Sequence, residues 1–466
     1  MTARDDPPPE AGRLPTGRLA RTARVGGLVT GQGLRWAGMR AANRVRSPER
    51  AEAARDERTA ATVRELVEQL SRMRGAAMKV GQLFSMIDLE GLPEEQRAEL
   101  QSRLATLRDD VPPVPFKRLE RLIREELGMP LGQVFAEFDE RAFAAASIGQ
   151  VHRARTLDGD DVVVKVQYPG VAEAVDSDLR SASLLVPLIR RLAPSLDAKA
   201  LLAELRDRIG EELDYELEAQ HQRRVERLLR GHPFILVPRV RTDLSTRRVL
   251  VSEYVEGERF EAVRALDQAQ RDRYGEIVFR FYFGLLYRNR IALGDPHPGN
   301  YLLCPDQRVA FVDYGLVRDL GAARIDAERA IASAVHDDDS AALKAALVAG
   351  GYVLRADGLD ADLALTMTRA ATRWYAVPGG DWLSERARGR RPESAEDPER
   401  QADFREQAGR FTLPPETILI RRMHALVATV LMRLNADADW GAIAAEYLHG
   451  EPPATTLGSA EAAFFA

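Results

Sequence analysis

Gly294-Asp295-Pro296-His297-Pro298-Gly299-Asn300, followed at 301–312 by Tyr-Leu-Leu-Cys-Pro-Asp-Gln-Arg-Val-Ala-Phe-Val and closed by Asp313-Tyr314-Gly315, concentrates more chemistry than any other stretch of this 466-residue chain. Two prolines and two glycines within seven residues exclude a regular helix and set a rigid loop. That loop carries a carboxylate, Asp295, and an amide, Asn300, five positions apart. Two short apolar runs around Pro305-Asp306-Gln307 then read as a small hairpin. Asp313 stands at the end of the second run, before a flexible glycine, where its carboxylate can reach a hard cation. His297 with Asp295 can be read as metal ligands, but few other ligands lie nearby for a closed site. The other reading makes His297 a hydrogen-bonding residue of the loop.

Two further features point the same way. Lys165 interrupts a run of valines, Val162-Val163-Val164-Lys165-Val166, after the turn Asp158-Gly159-Asp160. An ammonium on such a strand either faces solvent or needs an anionic partner. Further on, Glu212-Leu213-Asp214-Tyr215-Glu216-Leu217-Glu218 reads as helical, with Asp214 and Glu218 four apart on one face. Either a carboxylate of this run reaches Lys165 or the run is a solvated acidic face. A lysine for phosphates, an acid for the acceptor, and an Asn and an Asp for a metal are the parts needed to hold a nucleotide triphosphate. No G-x-x-x-x-G-K-[ST] loop is present, which excludes a P-loop NTPase, and no G-x-G-x-x-G loop is present either. Ala144-Ala145-Ala146-Ser147-Ile148-Gly149-Gln150 stands in that place, and alanine restricts the backbone where glycine would free it.

The remaining chain frames these elements. Net charge is −5, which argues against a general nucleic-acid binder. The single cysteine, Cys304, excludes an internal disulfide framework and fits a reducing compartment. Apolar stretches at 277–293 and 418–434 are interrupted by arginines, so no transmembrane helix is expected. Between residues 11 and 50 there are nine arginines and one acid, interleaved with apolar residues, as in a basic amphipathic helix on an anionic membrane. The other reading is a helical lead-in that packs on the body. Helical periodicity is expected over 51–110, from Phe116 to Leu127, and through about 171–191 and 199–230. Ile235 to Val240 and Arg248 to Tyr254 read as extended. The segment from Ser384 to Arg410 reads as a charged loop, and residues from Pro452 read as a tail.

With these motifs in order, the sequence resembles the UbiB/AarF family of atypical kinase-like proteins, related to the coenzyme Q kinase-like proteins. The resemblance covers about 76–320. It rests on Lys79-Val80-Gly81-Gln82 (a K-x-G-Q signature), the alanine-rich loop, the Lys165 strand, Glu212-x-Asp214, and the loops at 295–300 and 313–315. It implies an α+β, two-lobed protein-kinase-like fold. A small β-containing N-lobe (116–255) and a helical C-lobe (256–450) are expected. A basic lead-in (1–50), a helical K-x-G-Q extension covering the active site (51–115) and a tail (451–466) complete the chain.

The resemblance further implies ATP and Mg²⁺ as cofactors. Lys165 would contact the phosphates and pair with Glu218, Asp295 would be the catalytic acid, and Asn300 and Asp313 would be the metal ligands. Ala144, Ala145, Ala146 and Ser147 would lie over the nucleotide, and Glu253 and Val255 would offer backbone groups to adenine. Lys79, Gln82, Glu212 and Asp214 would belong to the cover. The implied activity is an atypical kinase or ATPase acting on a small-molecule or lipid-associated target in support of isoprenoid quinone synthesis. The alternative is a nucleotide-binding scaffold that organises membrane-associated enzymes. The implied place is the cytoplasm, with a peripheral contact at the inner face of the membrane through 11–50, quinone-pathway enzymes as partners and no nucleic acid. Tyr314 replaces the family's usual Phe, and Gly294 stands where alanine is frequent.

Overall fold

The computed structural model describes residues 114–146, 148–183, 206, 210–379 and 407–466, with single positions 39, 47 and 50. Apart from those positions, the basic lead-in and the extension with Lys79 and Gln82 lie outside the described residues. So do Ser147, most of 184–209 and the charged segment 380–406. Two compact units emerge, Met1–Leu217 with Arg241–Glu253, and Glu218–Val240 with Tyr254–Ala466.

In the first unit, α1 (Phe116–Leu127) ends where Gly128 takes a left-handed conformation (φ 71°) and its N–H bonds to the Arg124 carbonyl. This is the glycine stop that the sequence calls for. The antiparallel sheet has the order β1 (Phe135–Phe138), β3 (Gly149–Thr156), β4 (Asp161–Gln167), β6 (Val249–Glu253), with β2 (Ala144–Ala145) also paired to β3. Alternation along β4 decides the site. Val162, Val164 and Val166 join the core with Leu119, Leu122 and Ile123 of α1. Lys165, one residue out of phase, therefore takes the opposite face of the sheet. Helix α2 (Val171–Ser183) follows β4.

The second unit takes in 218–240 because β5 (Ile235–Leu236) pairs in parallel with β10 (Val309–Phe311). Pro238 follows, its carbonyl accepting from Gln222 Nε2 at 2.7 Å, and strand β5 itself covers only the first two residues of the extended run expected to Val240, which carries a bridge at its end. β10 is also antiparallel to β9 (Tyr301–Leu303), which pairs with β7 (Glu258–Arg259). β8 (Ile291–Leu293) pairs with β11 (Val317–Asp319).

After α3 (Tyr215–Leu229), which crosses the division between units, and the short α4 (Phe260–Val263), the core is built on α5 (Gln268–Asn289). Residues 274–287 of α5 are buried on every side, as expected of a helix with no polar face. Helices α6 (Ala322–His336), α7 (Ser340–Ala349), α8 (Ala361–Ala376), α9 (Pro415–Leu434) and α10 (Trp440–Leu448) complete it. The chain end differs from the expected tail. Residues Thr456–Phe465 form α11, capped by Thr455 and held by a buried Glu461. No helix among the described residues is long and apolar enough to cross a membrane.

Buried histidines make this unit acid-sensitive. His232 is almost fully buried, accepts the Ile235 N–H at Nδ1, and sits edge-on against Phe234 and Phe464. Burial, reinforced by Arg288 and Arg280, pushes its pKa down to about 4. His424, stacked on Phe283, is likewise driven well below 6.5 by burial and then by Arg421. Both are neutral in the fold and bind protons more readily when unfolded. Their contribution is full above about pH 6.5 and is lost as pH falls toward 4, about 3 kcal/mol for His232 alone. A Tm series from pH 8 to pH 4 should be flat above 6.5 and fall below it. A constant Tm would contradict the assignment.

Candidate active site

The rigid loop is clamped by its own backbone. The Asp295 carbonyl accepts both from the His297 N–H at 2.7 Å and from Asn300 Nδ2 at 3.1 Å. Pro298 opens the short 3₁₀ turn Pro298–Asn300, and His297 Nδ1 caps it by accepting from the Gly299 N–H at 3.1 Å. The ring of His297 is therefore committed to shaping the loop. Among the described residues no group of three or more His, Cys, Asp and Glu is placed to hold a metal by itself.

The hairpin brings the remaining residues together. Tyr301 faces Phe311 across β9 and β10, and the Val312 N–H donates to the Asn300 carbonyl at 3.1 Å. Asn300 and Asp313, thirteen apart in sequence, thus stand at adjacent strand ends. Asp313 Oδ1 accepts from the Gly315 N–H at 3.0 Å. A Cβ on Gly315 would lie 3.5 Å from that oxygen and 3.8 Å from Glu218 Oε2, so the buried Glu218 carboxylate borders the same turn. Tyr314 is buried, and its hydroxyl finds the partner that burial demands by donating to the Phe311 carbonyl at 3.0 Å. Its own carbonyl accepts from His221 Nδ1 at 3.3 Å.

Gly294 has a packing reason. A Cβ there would lie 2.1 Å from Leu419 Cδ1 and 2.6 Å from Leu316 Cδ2. Those leucines fill the space an alanine would take. Gly294→Ala is expected to destabilise by about 1–3 kcal/mol through overpacking. Much of that loss should return when Leu419→Val is added, giving a coupling of at least about 0.5 kcal/mol in a double-mutant cycle followed by urea unfolding. Strict additivity would show the space to be free.

Arg422 was missed by the sequence reading. From α9 its Nη2 lies 3.2 Å from Asp295 Oδ1, the arginine side chain 13% exposed and the carboxylate 29%. The available signal was the Arg421-Arg422 pair inside an otherwise apolar helix, since buried guanidinium groups need carboxylates. Arg421 finds Glu328 at 2.6 Å.

In the first unit, Lys165 lies in register with Val151, which faces Ala144, so Ala144, Val151 and Lys165 form one row across the sheet. Its Nζ sits 4.9 Å from the centre of the Tyr215 ring. Ala144 and Ala145 form β2, and the Ala146 N–H bonds to the Gly149 carbonyl at 2.8 Å. Gly149 is required, because a Cβ there would meet the Val166 carbonyl at 2.1 Å. Asp214 Oδ1 accepts from the N–H groups of Glu216 and Leu217 and caps α3, and Glu212 lies half-buried just before it. Glu253 ends β6 opposite Val162, and the division between units falls after it, so Val255 belongs to the second unit. Lys165 lies in the first unit, and Glu218, Asp295, Asn300 and Asp313 in the second.

The ABC1 atypical kinase-like domain matches residues 106–347. The chain is 32% identical over 312 residues to "Atypical kinase COQ8B, mitochondrial" of Danio rerio, covering 66% of this chain and 49% of that protein. It is 30% identical over 308 residues to "Atypical kinase COQ8, mitochondrial" of Saccharomyces cerevisiae, covering 66% and 60%. Among solved structures, Rv3197 of Mycobacterium tuberculosis, determined in complex with erythromycin, superposes with a TM-score of 0.61. The two are 28% identical, over 86% of this chain and 98% of that one. The chain spans about half to three-fifths of the length of these two curated relatives.

Proposed function

Because the chain belongs to the UbiB/AarF family of atypical kinase-like proteins, we propose that it binds ATP with Mg²⁺ and hydrolyses it or transfers its γ-phosphoryl group to a small-molecule or lipid-associated target, in support of isoprenoid quinone synthesis. The observation that carries this reading is the hairpin that places Asn300 and Asp313 at adjacent strand ends, with Asn300 tied to the backbone of Asp295.

The donor set fits the ion. Asn300 spends its amide nitrogen on the Asp295 carbonyl, which leaves Oδ1 as the acceptor, and Asp313 adds a carboxylate whose Oδ2 is not used by the Gly315 N–H. Oxygen donors, few in number, suit Mg²⁺, which takes one or two carboxylates and completes its shell with phosphate and water. Asn300 and Asp313 would hold it, and its charge would neutralise the triphosphate when bound. Asp295 would orient the attacking hydroxyl or water and take its proton. Arg422 steadies that carboxylate from the side. Lys165 would hold phosphate oxygens. The strand of alanines at 144–145, where a conventional kinase has glycines, argues against ordinary protein phosphorylation.

The test is Mg-ATP binding and phosphate release, with and without lipid vesicles and quinone-like phenols, for the native chain and Asp313→Asn. The native chain should bind, and the variant should lose Mg-dependent affinity by at least about tenfold. No nucleotide binding by the native chain would remove the reading. Binding without release under any condition would turn it into that of a nucleotide-dependent scaffold.

A further inference from the structure

Helix α9 brings a cation to the catalytic loop from outside the domain match at 106–347. Arg422 Nη2 donates to Asp295 Oδ1 at 3.2 Å, and both residues belong to the second unit. Other arginines show what a purely structural pair looks like in this fold. Arg280 grips Glu446 with two N–H groups, both at 2.8 Å, and bonds to Glu276 and Glu461 as well. Arg230 grips Glu226 in the same forked way, at 2.8 and 2.7 Å. Arg421, next to Arg422 in the chain, bonds to Glu328 at 2.6 Å and to the Tyr352 hydroxyl at 3.0 Å. Arg422 makes a single, longer contact, and Asp295 is its one polar partner among the described residues.

A guanidinium stays charged in proteins, and holding it away from water is costly unless its donors are satisfied. The arginine side chain is 13% exposed, and Leu419, Ile420 and Met423 are buried around it on α9. Screening by water is weak in such surroundings, so an anion beside this group would be held strongly. The packing thus keeps a cation with donors to spare next to the carboxylate proposed to take the proton.

The geometry of the reaction says which anion fits. A hydroxyl or water bonded to Asp295 lies about 2.6–3.2 Å from it, and the phosphorus that it attacks lies about 3–3.5 Å further on. The phosphoryl oxygens then fall within about 7 Å of the carboxylate, in reach of a guanidinium that already touches it. The planar fork of that group matches phosphate oxygens in charge and in shape.

We propose that Arg422 binds the transferred γ-phosphoryl group, donating to its oxygens through the N–H groups that Asp295 does not take. The assignment rests on the ATP reading and adds α9 to the site. In the step, the attacking oxygen bonds to the γ-phosphorus and gives its proton to Asp295. The bond from phosphorus to the bridging oxygen breaks, and its electron pair leaves with ADP. Charge spreads over the phosphoryl oxygens in between, and a cation already fixed in place offsets it without reorganisation.

The experiment titrates the full chain with Mg-ADP, with and without aluminium fluoride as a mimic of the phosphoryl group in transfer, and reads affinity rather than turnover. Fluoride should tighten Mg-ADP binding by the native chain at least about tenfold. R422Q should bind Mg-ADP within about threefold of native, which also shows that it folds, and should lose the tightening. R422K should recover part of it, because an ammonium keeps the charge without the fork. Asp295→Asn breaks the ion pair but leaves the guanidinium, so it should lose less of the tightening than R422Q. Arg433→Gln, on the same helix and bonded to Glu261, is the control and should match the native chain. Full tightening in R422Q, or none in a native chain that binds Mg-ADP, overturns the proposal. So does an equal loss in Asp295→Asn, which would mean that Arg422 acts only through Asp295. If R422Q does not fold, R422K decides, and native tightening in it counts against the proposal. A native chain that binds no Mg-ADP at all would strike the ATP reading, and this assignment with it.

Discussion

Asp295→Asn is expected to slow phosphate release by about 10²- to 10⁴-fold, the range that a positioned proton acceptor contributes. The substitution is nearly isosteric, and the loop is clamped through the Asp295 backbone carbonyl rather than its side chain. Asn300 and Asp313 should therefore keep their places, and Mg-ATP affinity should change far less than turnover. The side-chain amide cannot take a proton, and it exchanges the ion pair with Arg422 for a neutral contact. Single-turnover phosphate release alongside equilibrium ATP binding separates the two effects. Turnover within threefold of the native chain would show that Asp295 is not the proton acceptor. A parallel collapse of binding would show that it acts through the metal.

The largest stability effect is expected at Arg280, a fully buried arginine in the middle of α5. It donates to Glu276 at 2.7 Å, to Glu446 at 2.8 Å and to Glu461 at 3.0 Å, with further bonds to Thr455 and the Tyr447 hydroxyl. Burial works against its charge, but the carboxylates outweigh burial and hold its pKa above the usual arginine range. Arg288 adds a second contact to Glu461 at 3.3 Å.

Arg280→Met removes the cation and takes the guanidinium from Glu276 and Glu446, leaving Glu461 its ion pair with Arg288. Breaking a single buried pair costs about 3–5 kcal/mol. For a unit of this size that is a fall in Tm on the order of 10 °C, or loss of soluble protein. Glu461→Gln keeps a hydrogen-bonding group and leaves the other carboxylates paired, so its loss should be clearly smaller. Thermal unfolding of both variants tests the order. An Arg280→Met chain melting within 2 °C of the native one would mean that the cluster is not a keystone of the fold.

The elements legible from sequence were those set by neighbours in the chain. Glycine at 128 ends α1 because only the left-handed conformation closes that turn cheaply. The turn at 305–307 makes a hairpin because the apolar runs on either side are short and matched. Valine alternation sends Lys165 to the face opposite α1. The kinase-like fold was what the family resemblance implied, and the domain match at 106–347 agrees with it. Tyr314 was a departure that posed a question, and the hairpin answers it with the Phe311 carbonyl.

Where distant parts meet, the sequence was silent. Arg422 lies 127 positions from Asp295, and Arg280 lies 166 and 181 positions from Glu446 and Glu461. No periodicity links such residues, so the residues from Pro452 read as a tail although they form α11 and cap a buried charge cluster. Gly294 shows both sides at one position. Its departure from alanine was visible at once, but its reason, Leu419 from α9 filling the space, exists only after packing. Helix stops, turns and strand faces arise from steric and hydrogen-bonding preferences within a few residues, and sequence alone determines them here. The partners of charges such as Arg280 and Asp295 depend on which surfaces the folded chain excludes from water, and only the tertiary structure decides that.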